Sequence, residues 1–164
     1  MSDGLRWLPL ALVGLWLALD FGLKGWSLVN LVPGQPVALV PGVLSLVLGF
    51  NPGAAWGLLS GQTELLVLIR LGVGLGLVGY LIWKAQPFPT AVAVSLVAGG
   101  ALGNSLDKLD DGTVTDMLYS HTLSAVTRVL YGQDYPVFNL ADVWVLWGVV
   151  LLLLVRPRPR SIKP

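Results

Sequence analysis

Residues 85–106, AQPFPTAVAVSLVAGGALGNSL, carry no charged side chain. At about 1.5 Å of rise per helical residue, such a stretch is long enough to cross a hydrocarbon core of about 30 Å. Within it Ala98, Gly99, Gly100, Ala101 and Gly103 would let a second helix approach closely, as small residues do in membrane helix pairs. The stretch therefore reads as a membrane helix, and the rest of the chain agrees. Of 164 residues, 55% are hydrophobic and 12% charged, against roughly 25% charged in an ordinary soluble domain. Seven Trp suit interfacial belts.

Outward from this segment, the apolar runs predict one membrane domain over residues 1–164, an all-α fold of four transmembrane helices near 5–25, 63–83, 86–106 and 137–155. The first run follows Arg6 with no small-x-small cleavage site behind it, so it is expected to be retained as a span. Only thirteen residues separate Arg6 from Asp20, which places Asp20 at or just inside one membrane face. Arg70, in the second span, is expected to snorkel toward an interface. Arg156, Arg158, Arg160 and Lys163 crowd the last nine residues, and positive charge marks the cytoplasmic side. Both termini are then cytoplasmic, and segments 26–62 and 107–136 extracytoplasmic. Pro33, Pro36, Pro41 and Pro52 exclude a continuous helix across the first of these segments. Short strands are expected at Leu28–Leu31 and Val37–Val40, followed by a short interfacial helix in the apolar run VLSLVLGF, residues 43–50.

The net charge of +1 hides an asymmetry, because six of the nine acids lie between Asp107 and Asp142. Without cysteine, thiol catalysis, disulfides and thiolate metal sites are excluded. His121 is the single histidine, flanked by Ser120 and Thr122, and reads as a polar loop residue. No G-x-S-x-G elbow or H-E-x-x-H helix occurs. The run DKLDDG opens like a calcium loop, but Leu109 stands at its third position and Leu118 at its twelfth. Neither a phosphate-binding loop nor a basic nucleic-acid patch is present, so no metal, cofactor or nucleic-acid partner is expected.

Two carboxylates are left as candidates. Asp116 lies in TVTDML, and Asp142 in FNLADVW at the start of the fourth span. Separately each has a bland explanation: a turn for Asp116, and a first-turn position behind an Asn139 cap for Asp142. Held a few Å apart they could not both ionise easily, so one would keep its proton while the other served as a base toward water. A transport or ion-relay protein using Asp20, Asp116 and Asp142 is the alternative from another class. The long uncharged stretches and the gathering of acids at one face speak against it.

The ordered motifs DFGLK, NPGAAW, GGALGNSLDK, VTDM and FNLAD give the chain a resemblance to the lipoprotein signal peptidases, the type II signal peptidases of bacteria. That resemblance covers nearly the whole chain. It implies an aspartic endopeptidase of the inner membrane that cleaves diacylglyceryl-modified prolipoproteins before the lipidated cysteine. It further implies a monomer among membrane lipids, with Asp116 and Asp142 as the catalytic pair. Asn104, Asn139, Asp20, Lys24, Asn51, Gly53, Asp107 and Lys108 would support the site or bind substrate. Phe21, Gly22, Trp56, Lys108 and Met117 stand where the family pattern has Gln, Ser or Thr, Phe, Arg and Phe. A catalytically silent lipoprotein-binding paralogue would share the same motifs.

Overall fold

The computed structural model describes residues 7–52 and 63–155. In chain order its elements are α1 (Leu8–Asn30), β1 (Val37–Val40), β2 (Leu44–Asn51), α2 (Thr63–Trp83), α3 (Phe88–Asp111), β3 (Val114–Ser120), α4 (His121–Tyr131) and α5 (Leu140–Leu154). Three of the helices, α1, α2 and α3, are long and apolar enough to cross a membrane. The fourth apolar helix, α5, has 15 residues, roughly 22 Å at 1.5 Å per residue and so short of a full crossing by itself.

The uncharged stretch forms the post of the bundle. Within its apolar window 78% of α3 is buried, against 17% for α1 and α2, so the other helices pack around it while their outer sides keep Leu15, Leu19, Leu68, Ile69 and Leu153 exposed. An apolar exterior of this kind belongs to a multi-pass membrane protein, whose solvent is lipid. The glycines explain the closeness of the packing. A Cβ on Gly100 would lie 2.3 Å from the Ala141 carbonyl oxygen, one on Gly99 2.8 Å from Trp16 Cβ, and one on Gly148 2.8 Å from the Ala93 carbonyl oxygen. Backbone therefore meets backbone at the α3–α5 contact. Val13, Leu81, Val94, Ala98 and Leu102 fill the rest of the helical core. Trp16 adds an interhelical hydrogen bond to Ser95 Oγ at 3.1 Å.

At one end of the bundle β1, β2 and β3 form an antiparallel sheet in that order. The expected strand at Val37–Val40 is present, whereas two other sequence expectations need correction. Leu28–Leu31 is not a strand: α1 continues to Asn30, since no breaker precedes Pro33 and Ser27 O still accepts from Leu31 N. The run expected as a short interfacial helix is instead strand β2, because it pairs on both sides and buries Ser45, Leu46 and Leu48 against the bundle end. Among the described residues the short surface helix is α4, capped by Ser120 and ended by Gly132 at φ +72°. Within the segment expected to be outside from residue 107, α3 persists to Asp111 and stops at Gly112, whose φ of +73° suits the left-handed residue that closes a helix.

Replacing Gly100 with Val should force α5 off α3, at a cost of about 1–3 kcal/mol or more. Thermal unfolding in detergent should show a clearly lower midpoint. Gly14→Ala, where an added Cβ meets nothing within 4 Å, should leave the midpoint nearly unchanged.

Candidate active site

The site lies where sheet and bundle meet, and three pieces of backbone geometry bring its parts together. In the β2–β3 register Gly49 faces Asp116 and Asn51 faces Val114, so Asn51 lies diagonally across from Asp116 on the same face of the sheet. On the other edge of β3, Leu118 bridges to Phe138. The Phe138 carbonyl accepts from Leu118 N at 2.7 Å and from Met117 N at 3.1 Å, which fixes the next residue, Asn139, beside Asp116. Finally, Gly100 and Gly103 bring Ala141 close to α3 and α1. Ala141 N donates to Asp20 Oδ1 at 2.9 Å, holding the first turn of α5 and Asp142 in place.

Asp116 is thus clasped by two amides. Its Oδ1 accepts from Asn139 Nδ2 at 2.7 Å and its Oδ2 from Asn51 Nδ2 at 3.1 Å. Asp142 is held by Asn104 Nδ2 at 2.8 Å on one oxygen and by Asn139 N at 3.2 Å on the other. Asn139 Oδ1 in turn accepts from Asp142 N at 3.0 Å. The capping expected for Asn139 is therefore real, as one half of a capping box with Asp142. It coexists with a second role, since the same side chain ties the two carboxylates to each other.

Behind the pair sits a buried cation. Lys24 Nζ makes ion pairs with Asp20 Oδ2 at 2.7 Å and Asp107 Oδ2 at 3.1 Å and donates a hydrogen bond to Asn104 Oδ1 at 3.2 Å. Asp107 Oδ2 also accepts from Thr115 N at 2.8 Å, which anchors β3 next to Asp116. With its oxygen turned to Lys24 and to Asn139 Nδ2 at 2.9 Å, the Asn104 amide must present its NH2 to Asp142. The ammonium thereby sets the polarity of the whole chain of amides.

The two carboxylates differ in surroundings. Asp116 is buried at 3% exposure while Asp142 is only partly covered. Burial, and then the neighbouring Asp142 charge, push the Asp116 carboxyl up to about 7 from its ordinary 3.8. Hydrogen bonds from Asn51 and Asn139 and the charge of Lys24 act in the opposite direction without cancelling the rise. Asp116 therefore holds a proton at neutrality more readily than an ordinary carboxyl, as one member of a proton-sharing pair must. From Asp142 and Asn104 a groove of about 450 Å³ opens between α2, α3 and α5, walled by Val73, Val97, Val145 and Val149, with Arg70 on its rim.

Of the residues singled out in the sequence, Asp116, Asp142, Asn104, Asn139, Asp20, Lys24, Asn51 and Asp107 form this one network. Lys108 stands apart: its Nζ donates to the carbonyls of Pro52 and Gly112, tying the end of β2 to the end of α3. An ammonium can thus serve two backbone carbonyls at this position. Gly53 and Trp56 lie outside the described residues. His121 pairs with Ser45 Oγ at 2.8 Å and does not join the network. Thr115 takes part through its backbone, which no side-chain motif could announce, and the place of Arg70 on the groove was not foreseen.

Comparison with known proteins gives a consistent result. The family described as Signal peptidase (SPase) II matches residues 12–156. A lipoprotein signal peptidase of Deinococcus radiodurans is 46% identical over 154 residues, covering 93% of this chain and 81% of the relative. One from Gloeobacter violaceus is 35% identical, covering 100% and 89%. Two solved structures, each described as a bacterial membrane enzyme structure by the in meso method, superpose with TM-scores of 0.77 and 0.74 at 26% and 28% identity. They cover 99% and 94% of this chain and 97% and 93% of their own.

Replacing Lys24 with Met would leave Asp20 and Asp107 buried without their cation. Removing one partner of a buried ion pair costs about 3–5 kcal/mol. Denaturant unfolding should show that loss, and the triple change K24M/D20N/D107N should recover much of it.

Proposed function

The chain belongs to the lipoprotein signal peptidase (signal peptidase II) family, and from that premise we propose that Asp116 and Asp142 are the catalytic pair of this enzyme. Members of the family are aspartic endopeptidases that remove the signal peptide from prolipoproteins. This chain does the same, cutting before the diacylglyceryl-modified cysteine. The observation that carries the assignment is Asn139, a single side chain hydrogen-bonded to Asp116 and, through its cap, to Asp142.

In this reading the pair shares one proton. The ionised carboxylate takes a proton from the attacking water, and the protonated partner donates a hydrogen bond to the scissile carbonyl, stabilising the charge that builds there. Proton return to the departing amine restores the pair. Asn104 and Asn139 keep the carboxylates from turning away, while Asn51 limits how far the Asp116 affinity for a proton rises. The buried setting strengthens each of these contacts by lowering the effective dielectric.

The topology that suits this chemistry has four crossings, with α5 as the last, both termini in the cytoplasm and the sheet end outside. Basic residues near 6 and at 156–163 support that orientation, and the concentration of acids at the sheet end agrees with it. The enzyme acts as a monomer, and the substrate reaches the groove sideways from the bilayer of the bacterial inner membrane. An ion relay would instead string polar groups through membrane depth. Here the acids gather at one end.

Asp116→Asn and Asp142→Asn, purified separately, should each retain the wild-type fold and lose at least about a hundredfold in cleavage of a lipidated prolipoprotein, the usual scale for a lost general acid or base. Near-native turnover by either folded variant would reject the pair.

The pH dependence follows from the raised Asp116 affinity. Between about pH 4 and 7 the folded state binds a proton that the unfolded chain has released, so stability falls as pH rises through that window and is lowest above it. Activity should likewise fall as pH rises past about 7, when the pair loses its shared proton. Asn51→Ala removes a donor that favours the ionised carboxylate, and the alkaline limb of its pH–rate profile should shift upward.

A further inference from the structure

Five cationic side chains fall in the described residues, and four are engaged. Lys24 is held by Asp20, Asp107 and Asn104, Lys108 by two carbonyls, and Arg128 by Asp134 and Tyr119. Lys84 lies over the Tyr80 ring. Arg70 makes no hydrogen bond or ion pair among the described residues. It nonetheless sits two turns into an apolar helix, where a charge is costly and normally functional. It also lines the groove that ends at Asn104 and Asp142. Snorkelling alone would account for a charge near a helix end, but not for its place on the groove of the cleavage site.

We propose that Arg70 is a specificity residue that grips the ester carbonyl oxygens of the substrate's diacylglyceryl group, while the valine wall below it receives an acyl chain. This inference rests on the catalytic pair proposed above. Cleavage occurs at the amide nitrogen of the lipidated cysteine, and only a handful of bonds, through Cβ, sulfur and the glyceryl carbons, separate that nitrogen from the ester oxygens. A donor for those oxygens would therefore belong on the groove that leads away from the carboxylates, and Arg70 lines that groove together with Asn104 and Asp142. A guanidinium presents several N–H groups in a planar fork and is more weakly hydrated than an ammonium, so it suits two carbonyls at a membrane boundary. The groove wall is otherwise almost wholly apolar. With no partner among the described residues, Arg70 is poised for an oxygen that arrives with the substrate.

The test compares two synthetic prolipoprotein peptides, one carrying the diacylglyceryl thioether and one its dialkyl ether analogue, which lacks the carbonyls. Wild type should show KM higher for the ether peptide by roughly tenfold or more, the scale of a lost charge-assisted hydrogen bond. Arg70→Met should raise KM for the ester peptide by a similar factor, with a smaller change in kcat, and should no longer distinguish the two peptides. Arg70→Lys should retain part of the discrimination. Three results would overturn the inference. Wild type could treat both peptides alike. Arg70→Met could lose kcat equally on both together with thermal stability, making Arg70 structural. Turnover could depend on phosphatidylglycerol in the micelle, with Arg70→Met abolishing that dependence and neither enzyme sensing the ester, which would make a free lipid phosphate the ligand. Asp116→Asn in the same assay keeps the two readings apart, because an active Asp116→Asn removes the catalytic pair without touching the ester comparison.

Discussion

A single buried ammonium organises the molecule. Lys24 reaches from α1 to three oxygens, those of Asp20, Asp107 and Asn104, and each of the three contacts binds a different part of the site. Through Asp20 it holds Ala141 and the start of α5, through Asp107 the backbone of β3, and through Asn104 the carboxylate of Asp142. Burying a charge is unfavourable unless it is paired and fully hydrogen-bonded. That condition acts as a geometric constraint: α1 and α3 must converge for the cation to be satisfied, and its three partners in turn hold β3 through Thr115 N and α5 through Ala141 N and Asp142. The same convergence brings Asp116 and Asp142 to opposite sides of Asn139.

The helical part of the fold was legible because hydropathy has a long reach. A run such as residues 85–106 has one physical solution in lipid, and α2 and α3 stand close to where the charge pattern puts them. The sheet was harder to read. VLSLVLGF is apolar on both faces, so its period does not distinguish a strand from a helix lying on the membrane. Its pairing is with β3, which is far away in sequence, and no local signal announces such a partner. Leu28–Leu31 failed for the opposite reason: a propensity for strand was overridden by a helix already propagating from the membrane.

The candidate site was legible in its parts and not in its wiring. Asp116, Asp142, Asn104 and Asn139 stand in short motifs that could be matched one at a time, and the cap at Asn139 could be derived from its spacing to Asp142 alone. That one side chain would both cap a helix and join two carboxylates depends on the Leu118–Phe138 bridge, a tertiary fact. Two departures from the family pattern, Lys108 and Met117, are absorbed locally. Met117 fills the core beneath the sheet at 0% exposure beside Leu46, Leu48 and Leu118, a role that an unbranched thioether meets as well as an aromatic ring.

The order in which the site residues occur along the chain has a bearing on biogenesis. They begin at Asp20 and end at Asp142, and the last two of them, Asn139 and Asp142, come from the linker before α5 and from its first turn. A ribosome delivering this polypeptide from its N-terminus would have threaded most of it into the bilayer before either acid met its counterpart. The carboxylate network is therefore closed only when the start of α5 has been made, so its geometry belongs to the finished chain.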